Sequence, residues 1–204
     1  MLVANHVSWI DIFVINALAP AAFVSKAEVR RWPAIGWLAA RNDTLFLQRG
    51  SRAHARLISN QIAALLDNEG TVALFPEGTT SDGRQVLHFH AALLQAPIDA
   101  GRPVQPLALR YRTPDGEYCA APAYEGDTSL LECLSNIIAQ PAIIADVVLM
   151  DAVHAPADSD RRQLANSLRE GIARQVVPKP PAGKAPGSDS ANSANSGGCA
   201  QASS

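Results

Sequence analysis

The segment Asn5-His6-Val7-Ser8-Trp9-Ile10-Asp11 sets a histidine and an aspartate five residues apart. These are the side-chain types of a general base and of the carboxylate that orients it. Five residues turn through about 140° of a regular helix, so a single helical face cannot bring the two together and a turn must lie between them. Ser8 is a good N-cap for a helix starting at Trp9. His6 then sits on the loop before the helix, and Asp11 sits in its first turn, where the helix dipole favours a carboxylate. In that arrangement neutral His6 takes a proton from an attacking hydroxyl while Asp11 fixes the imidazole tautomer. Ser8-x-x-Asp11 also reads as a helix-start capping box, a purely structural role.

Three further segments carry candidate chemistry. Thr44-Leu45-Phe46-Leu47-Gln48-Arg49-Gly50-Ser51-Arg52 is an apolar strand ending in two arginines where a helix begins. Helix N-terminal amides and guanidinium forks both suit phosphate oxygens; a solvated basic strand end is the structural alternative. Thr71-Val72-Ala73-Leu74-Phe75-Pro76-Glu77-Gly78-Thr79-Thr80 runs a buried-type strand into a Pro-Glu-Gly turn. That turn presents Glu77 at a strand's carboxyl end, where open α/β sheets place ligands. Val104-Gln105-Pro106-Leu107-Ala108-Leu109 is an apolar strand whose proline suggests an edge, a bulge or a strand start.

Short β-rich runs alternating with helical periodicity predict an α/β sandwich built around a sheet over residues 1–177. Strands are expected at 22–25, 44–48, 71–75, 104–111 and 142–150, and helices at 9–18, 51–67, 89–99, 129–139 and 158–176. Gly70 is the expected stop of the helix over 51–67. Beyond Val177 the chain turns to Pro, Gly, Ser, Ala and Asn, and residues 178–204 are expected to be a disordered low-complexity tail.

The 204 residues, 48% hydrophobic and 18% charged, fit one domain with a real core. A formal charge of −2 argues against a nucleic-acid binder. Residues 26–56 nevertheless carry Lys26, Arg30, Arg31, Arg41, Arg49, Arg52 and Arg56 against Glu28 and Asp43, a local +5 that favours an anionic ligand or membrane surface. Cys119, Cys133 and Cys199 show neither metal-ligand nor disulfide-framework spacing, which points to a reducing compartment. His88 and His90 lack a third ligand and read as helix-start residues. Trp9, Trp32 and Trp37 read as core residues, the last two with an alternative place at a membrane interface. No run reaches the roughly 18 apolar residues needed to span a bilayer, and the opening Met1-Leu2-Val3-Ala4 carries no secretory signal.

In order and spacing, the four segments resemble the blocks of the 1-acylglycerol-3-phosphate acyltransferase family, over about residues 3–112. The resemblance implies a glycerolipid acyltransferase-type mixed sheet flanked by helices. The implied activity is transfer of a fatty acyl group from acyl-CoA or acyl carrier protein to the free hydroxyl of 1-acyl-sn-glycerol 3-phosphate, forming phosphatidic acid. It further implies His6 as the base, Asp11 as its partner and Asn5 as a support of the loop. Lys26, Arg49 and Arg52 would lie near the acceptor's phosphate, Glu77, Gly78 and Thr79 would shape the acceptor site, and Pro106 would form part of the pocket wall. Neither metal nor bound cofactor is implied, and the expected location is the cytoplasmic face of the inner (plasma) membrane.

Two departures from the family pattern generate expectations. Members often carry Arg after Glu-Gly-Thr where this chain has Thr80, so Arg84 is the expected substitute. The chain begins five residues before His6, so a truncated start lacking a membrane segment and an edge of the sheet is expected. Competing readings are the same chemistry on a lyso-ornithine lipid or glycerol 3-phosphate, a lipid or thioester hydrolase, and a non-catalytic lipid-binding module. The hydrolase reading lacks a Gly-x-Ser-x-Gly elbow, and its only nearby serine is Ser8.

Overall fold

A computed structural model of the chain describes residues 1–31, 44–48 and 50–176, with the backbone alone at Lys26, Arg30, Arg31 and Arg52. The expected tail and the expected places of Trp32, Trp37 and Arg49 lie outside these residues.

The described residues form one six-stranded sheet. Its strands are β1 (Leu2–Ala4), β2 (Ala22–Lys26), β3 (Leu45–Leu47), β4 (Val72–Leu74), β5 (Gln105–Arg112) and β6 (Ile144–Leu149), in the spatial order β3-β2-β4-β1-β5-β6. The first five run parallel, with Leu2 opposite both Ala73 and Gln105 and with Val24 opposite Leu45. β6 returns antiparallel, Leu109 facing Val147. Val72, Ala73 and Leu74 are all buried, as a strand covered on both faces requires.

All five expected strands are present, and a sixth corrects the sequence reading. Leu2–Ala4, not among the expected strands, pairs with both β4 and β5 in the sheet's interior. Pro106 lies at the second position of β5, a strand start rather than an edge. It has no N–H to give, but its carbonyl accepts from Met150 N at 3.1 Å.

The helices are α1 (Asp11–Leu18), α2 (Arg52–Asp67), α3 (Gln95–Asp99), α4 (Leu130–Ile138) and α5 (Arg161–Val176). α2 repeats apolar residues every four positions. Ile58, Ile62 and Leu66 are buried on one face of the sheet with Leu164, Leu168 and Ile172 of α5. Ser51 caps α2 by accepting His54 N at 3.2 Å. The helix ends just before Gly70, as expected, and Glu69 takes the left-handed conformation (φ 61°). Glu69 N and Gly70 N donate to Leu66 O and Leu65 O, closing the helix. Gly70 is needed because a Cβ there would meet Leu65 O at 2.8 Å.

The helix expected over 89–99 divides, since Pro97 has no N–H for residue 93. Ala91–Leu94 is a 3-10 turn and α geometry begins at Gln95. On the opposite face of the sheet Ile15 of α1 packs with Ala4, Phe23, Ala73, Phe75, Leu107 and Leu109. α4 buries Cys133 and leaves Leu131 and Ile138 exposed.

Candidate active site

Because β1 to β4 are parallel, their carboxyl ends share one end of the sheet, and the turns leaving them meet there. A cavity of about 670 Å³ opens at this end. His6, two residues past β1, lines it together with Trp9, Ile12, Phe23, Leu74 and Phe75. Gln48, Gly50 and Ser51, between β3 and α2, form another part of its wall.

The His6 side chain is 20% exposed, and its Nδ1 lies 2.8 Å from Oδ2 of fully buried Asp11. Asp11 is in the first turn of α1, as expected. Ser8 is not the N-cap, however. That position falls to Ile10, and the Ser8 hydroxyl is buried with no hydrogen-bond partner among the described residues. Capping runs the other way: Oδ2 of Asp11 accepts Val7 N at 2.8 Å and Ser8 N at 3.0 Å, bending the loop back so that imidazole and carboxylate meet. Oδ1 accepts the phenol of Tyr111, on β5, at 2.6 Å. With Nδ1–H given to Asp11, Nε2 is the nitrogen with a lone pair for a substrate proton. The imidazole stacks on Phe75 at 4.1 Å between centroids and 12° between planes, a contact worth about 0.5–1.5 kcal/mol beyond area burial.

The loop's main chain is equally tied. His6 N donates to Glu77 Oε1 at 2.8 Å, Ser81 N donates to His6 O at 3.0 Å, and Tyr124 N donates to Val7 O at 3.0 Å. Asn5, fully buried, imitates a strand residue: its Nδ2 donates to Leu109 O and its Oδ1 accepts Leu109 N, docking the loop on β5. Buried polar groups so paired leave the imidazole little freedom.

Glu77 is 3% exposed and is not among the residues lining the cavity. Its second oxygen accepts Leu87 N at 2.8 Å. Burial pushes its carboxyl above the ordinary value, against the pull of the two backbone hydrogen bonds. Gly78 (φ 65°) and Thr79 do line the cavity. Thr80 lines it too, and its hydroxyl donates to Tyr124 O. Arg84 is exposed, with its guanidinium 4.3 Å above the Tyr118 ring, and neither it nor Pro106 is among the lining residues. Lys26 ends β2 and Arg52 begins α2.

Trp9, expected in the core, instead lines the cavity edge-on to Phe13 at 6.0 Å. Ser8 is fully buried and lies outside the lining, so it is not a nucleophile presented to a substrate. Sequence reasoning passed over Tyr111. The available signal was strand alternation, which puts Leu107, Leu109 and Tyr111 on the face that α1 covers.

This arrangement equips a protein for general-base chemistry on a hydroxyl held beside an apolar cavity. A family model described as Acyltransferase matches residues 1–110, and the chain belongs to that family. Over 170 residues the chain is 40% identical to a protein named lyso-ornithine lipid O-acyltransferase from Pseudomonas aeruginosa, covering 83% of this chain and 65% of that protein. It is 37% identical over 177 residues to a 1-acyl-sn-glycerol-3-phosphate acyltransferase of Neisseria gonorrhoeae, covering 87% of this chain and 69% of the other. The crystal structure of PlsC, the 1-acyl-sn-glycerophosphate (LPA) acyltransferase of Thermotoga maritima, superposes with a TM-score of 0.58 at 25% identity. That match covers 86% of this chain and 64% of that one. The chain thus spans about two thirds of the length of these relatives. Among the described residues no helix is long and apolar enough to cross a membrane.

Proposed function

We propose that the protein transfers a fatty acyl group from a thioester donor, acyl-CoA or acyl carrier protein, to the free hydroxyl of a lysolipid. The observation that carries this reading is the buried Asp11 carboxylate on Nδ1 of a histidine that faces an apolar cavity. Nε2 of His6 takes the hydroxyl proton as the oxygen attacks the thioester carbonyl. The tetrahedral intermediate expels the thiolate, and the imidazolium returns the proton to sulfur. A thioester is already activated, so a base and the alignment of two substrates suffice. Ile12, Phe23, Leu74 and Leu93 supply apolar wall for the acyl chain, at about 0.8 kcal/mol per buried methylene.

The acceptor we favour is 1-acyl-sn-glycerol 3-phosphate, giving phosphatidic acid. The cationic segment around the Gln48–Ser51 turn and α2's capped amino terminus suit its phosphate. A lyso-ornithine lipid is the second reading. It is favoured by the Pseudomonas aeruginosa relative and by Thr80, whose hydroxyl is committed to Tyr124 where the family pattern often has arginine. On this reading the reaction runs at the cytoplasmic face of the membrane; contact with a membrane surface is supported by the exposed Phe13 and Leu18 of α1 and Leu131 and Ile138 of α4.

The test is to follow free thiol while purified protein receives acyl-CoA and a panel of both lysolipids and glycerol 3-phosphate. Acceptor-dependent release is expected, with 1-acyl-sn-glycerol 3-phosphate giving the highest kcat/KM. Equal thiol release without any acceptor would replace transfer with hydrolysis.

A further inference from the structure

Three of the four donors on Asp11 come from its own neighbourhood, and all three crowd onto Oδ2: His6 Nδ1, Val7 N and Ser8 N. The fourth comes from 100 residues away, where among the described residues Tyr111 Oη alone serves Oδ1 at 2.6 Å. Tyr111 is buried against Val7 and Cys119, outside the cavity lining. We propose that Tyr111 is a positioning residue that fixes the Asp11 carboxylate and, by drawing its charge toward Oδ1, lowers the basicity of His6. The inference deepens the general-base reading and rests on it.

Burial, then the Asp11 charge, push the phenol above its ordinary value, so in this contact the Tyr111 phenol donates and the Asp11 carboxylate accepts. A carboxylate has two oxygens over which to spread its charge. A strong donor on Oδ1 stabilises charge there, and the imidazolium on Oδ2 gains correspondingly less. The same bond restrains rotation of the carboxylate about its Cβ–Cγ axis, and so keeps the imidazole plane aligned with the cavity. Other titratable groups around the trio are Glu77, which faces His6 and Asp11 from the turn after β4, and Cys133 of α4, which faces the phenol. His90 lines the same cavity. Replacing the phenol leaves all of them in place.

The experiment compares the full chain with Tyr111→Phe, which keeps the ring and removes the donor. The His6 imidazole is titrated by NMR, with its signal assigned by its loss in His6→Ala, and kcat and KM are measured across pH. The His6 titration in Tyr111→Phe is expected to move up by about 0.5 to 1 pH unit. The acid limb of kcat should move with it, and kcat at its plateau should fall about tenfold with KM for the acyl donor unchanged. A ring-fluorinated tyrosine at position 111, a stronger donor, should move the titration the opposite way, and it serves as the probe should Tyr111→Phe unfold. A folded Tyr111→Phe protein with the wild-type His6 titration and kcat overturns the proposal, as does a change confined to KM. Absence of thiol release by the wild-type protein with every acceptor would instead overturn the acyl-transfer reading, and the NMR titration would still decide the role of Tyr111.

Discussion

Asp11 and Glu77 are two buried carboxylates on neighbouring turns, each within hydrogen-bond reach of His6, and they do different work. Asp11 reaches the imidazole; Glu77 reaches only the backbone N–H of His6. Asp11 precedes no glycine and leads a helix whose dipole favours its charge. Glu77 sits between Pro76 and Gly78, and its two oxygens bridge the N–H groups of His6 and Leu87, joining the His6 loop to a segment ten residues further along. A buried acid beside a base is therefore not by itself a catalytic acid. What decides its role is whether its lone pairs meet a side chain or the main chain.

Substitutions should separate the two roles. Asp11→Asn is expected to have the largest effect, a loss of about 10²–10⁴ in kcat, because an amide can hold the wrong imidazole tautomer and cannot stabilise imidazolium. KM should change little. Glu77→Gln should lower stability by about 1–3 kcal/mol, since its NH₂ would face a backbone N–H. The resulting shift of the His6 loop should cost about tenfold to a hundredfold in kcat, with a lowered Tm that Asp11→Asn need not share. Equal Tm values for Glu77→Gln and wild type would erase the distinction.

The scaffold extends one step beyond Glu77. Arg169 of α5 donates to Val86 O at 2.9 Å and to Leu87 O at 2.8 Å, bracing the strip that Glu77 holds. Arg169→Ala should lower stability by about 1–2 kcal/mol and kcat only a few-fold, measured by denaturant unfolding and thiol release. The smallest effect concerns pH. Burial raises the Glu77 carboxyl, so near acid pH the folded protein keeps that proton where the unfolded chain has lost it. Stability from this group is fully present below the ordinary value of 4.5 and is lost as pH rises through the folded-state value. Denaturant midpoints measured from acid toward neutral pH should show this decline in the wild type and lack it in Glu77→Gln.

The pairing of His6 with Asp11 was legible because both lie in one seven-residue segment, and a turn between them was required by helix geometry alone. Five strands and the amphipathic α2 were legible from long enough apolar patterns. β1 was not: Leu2–Ala4 is only three residues long, too short for a strand pattern, so its central place depends on pairing with β4 and β5. Tyr111 escaped for the same reason, since its partner lies 100 residues away. Glu77 was read as a group shaping the acceptor site because its position at a strand end suits one. The sequence could not reveal that two N–H groups, one of them from His6 itself, occupy both its oxygens. Arg84 was placed near a phosphate by proximity in sequence, but the ring of Tyr118 holds its guanidinium.

In the proposed reaction the His6 imidazole strips a proton from a lysolipid hydroxyl, so the deciding measurement is acceptor-dependent thiol release by His6→Ala at saturating acyl-CoA and 1-acyl-sn-glycerol 3-phosphate, with folding verified by circular dichroism. A fall of about 10²–10⁴-fold from the wild-type rate is expected. A folded His6→Ala protein that still transfers at the wild-type rate would contradict it.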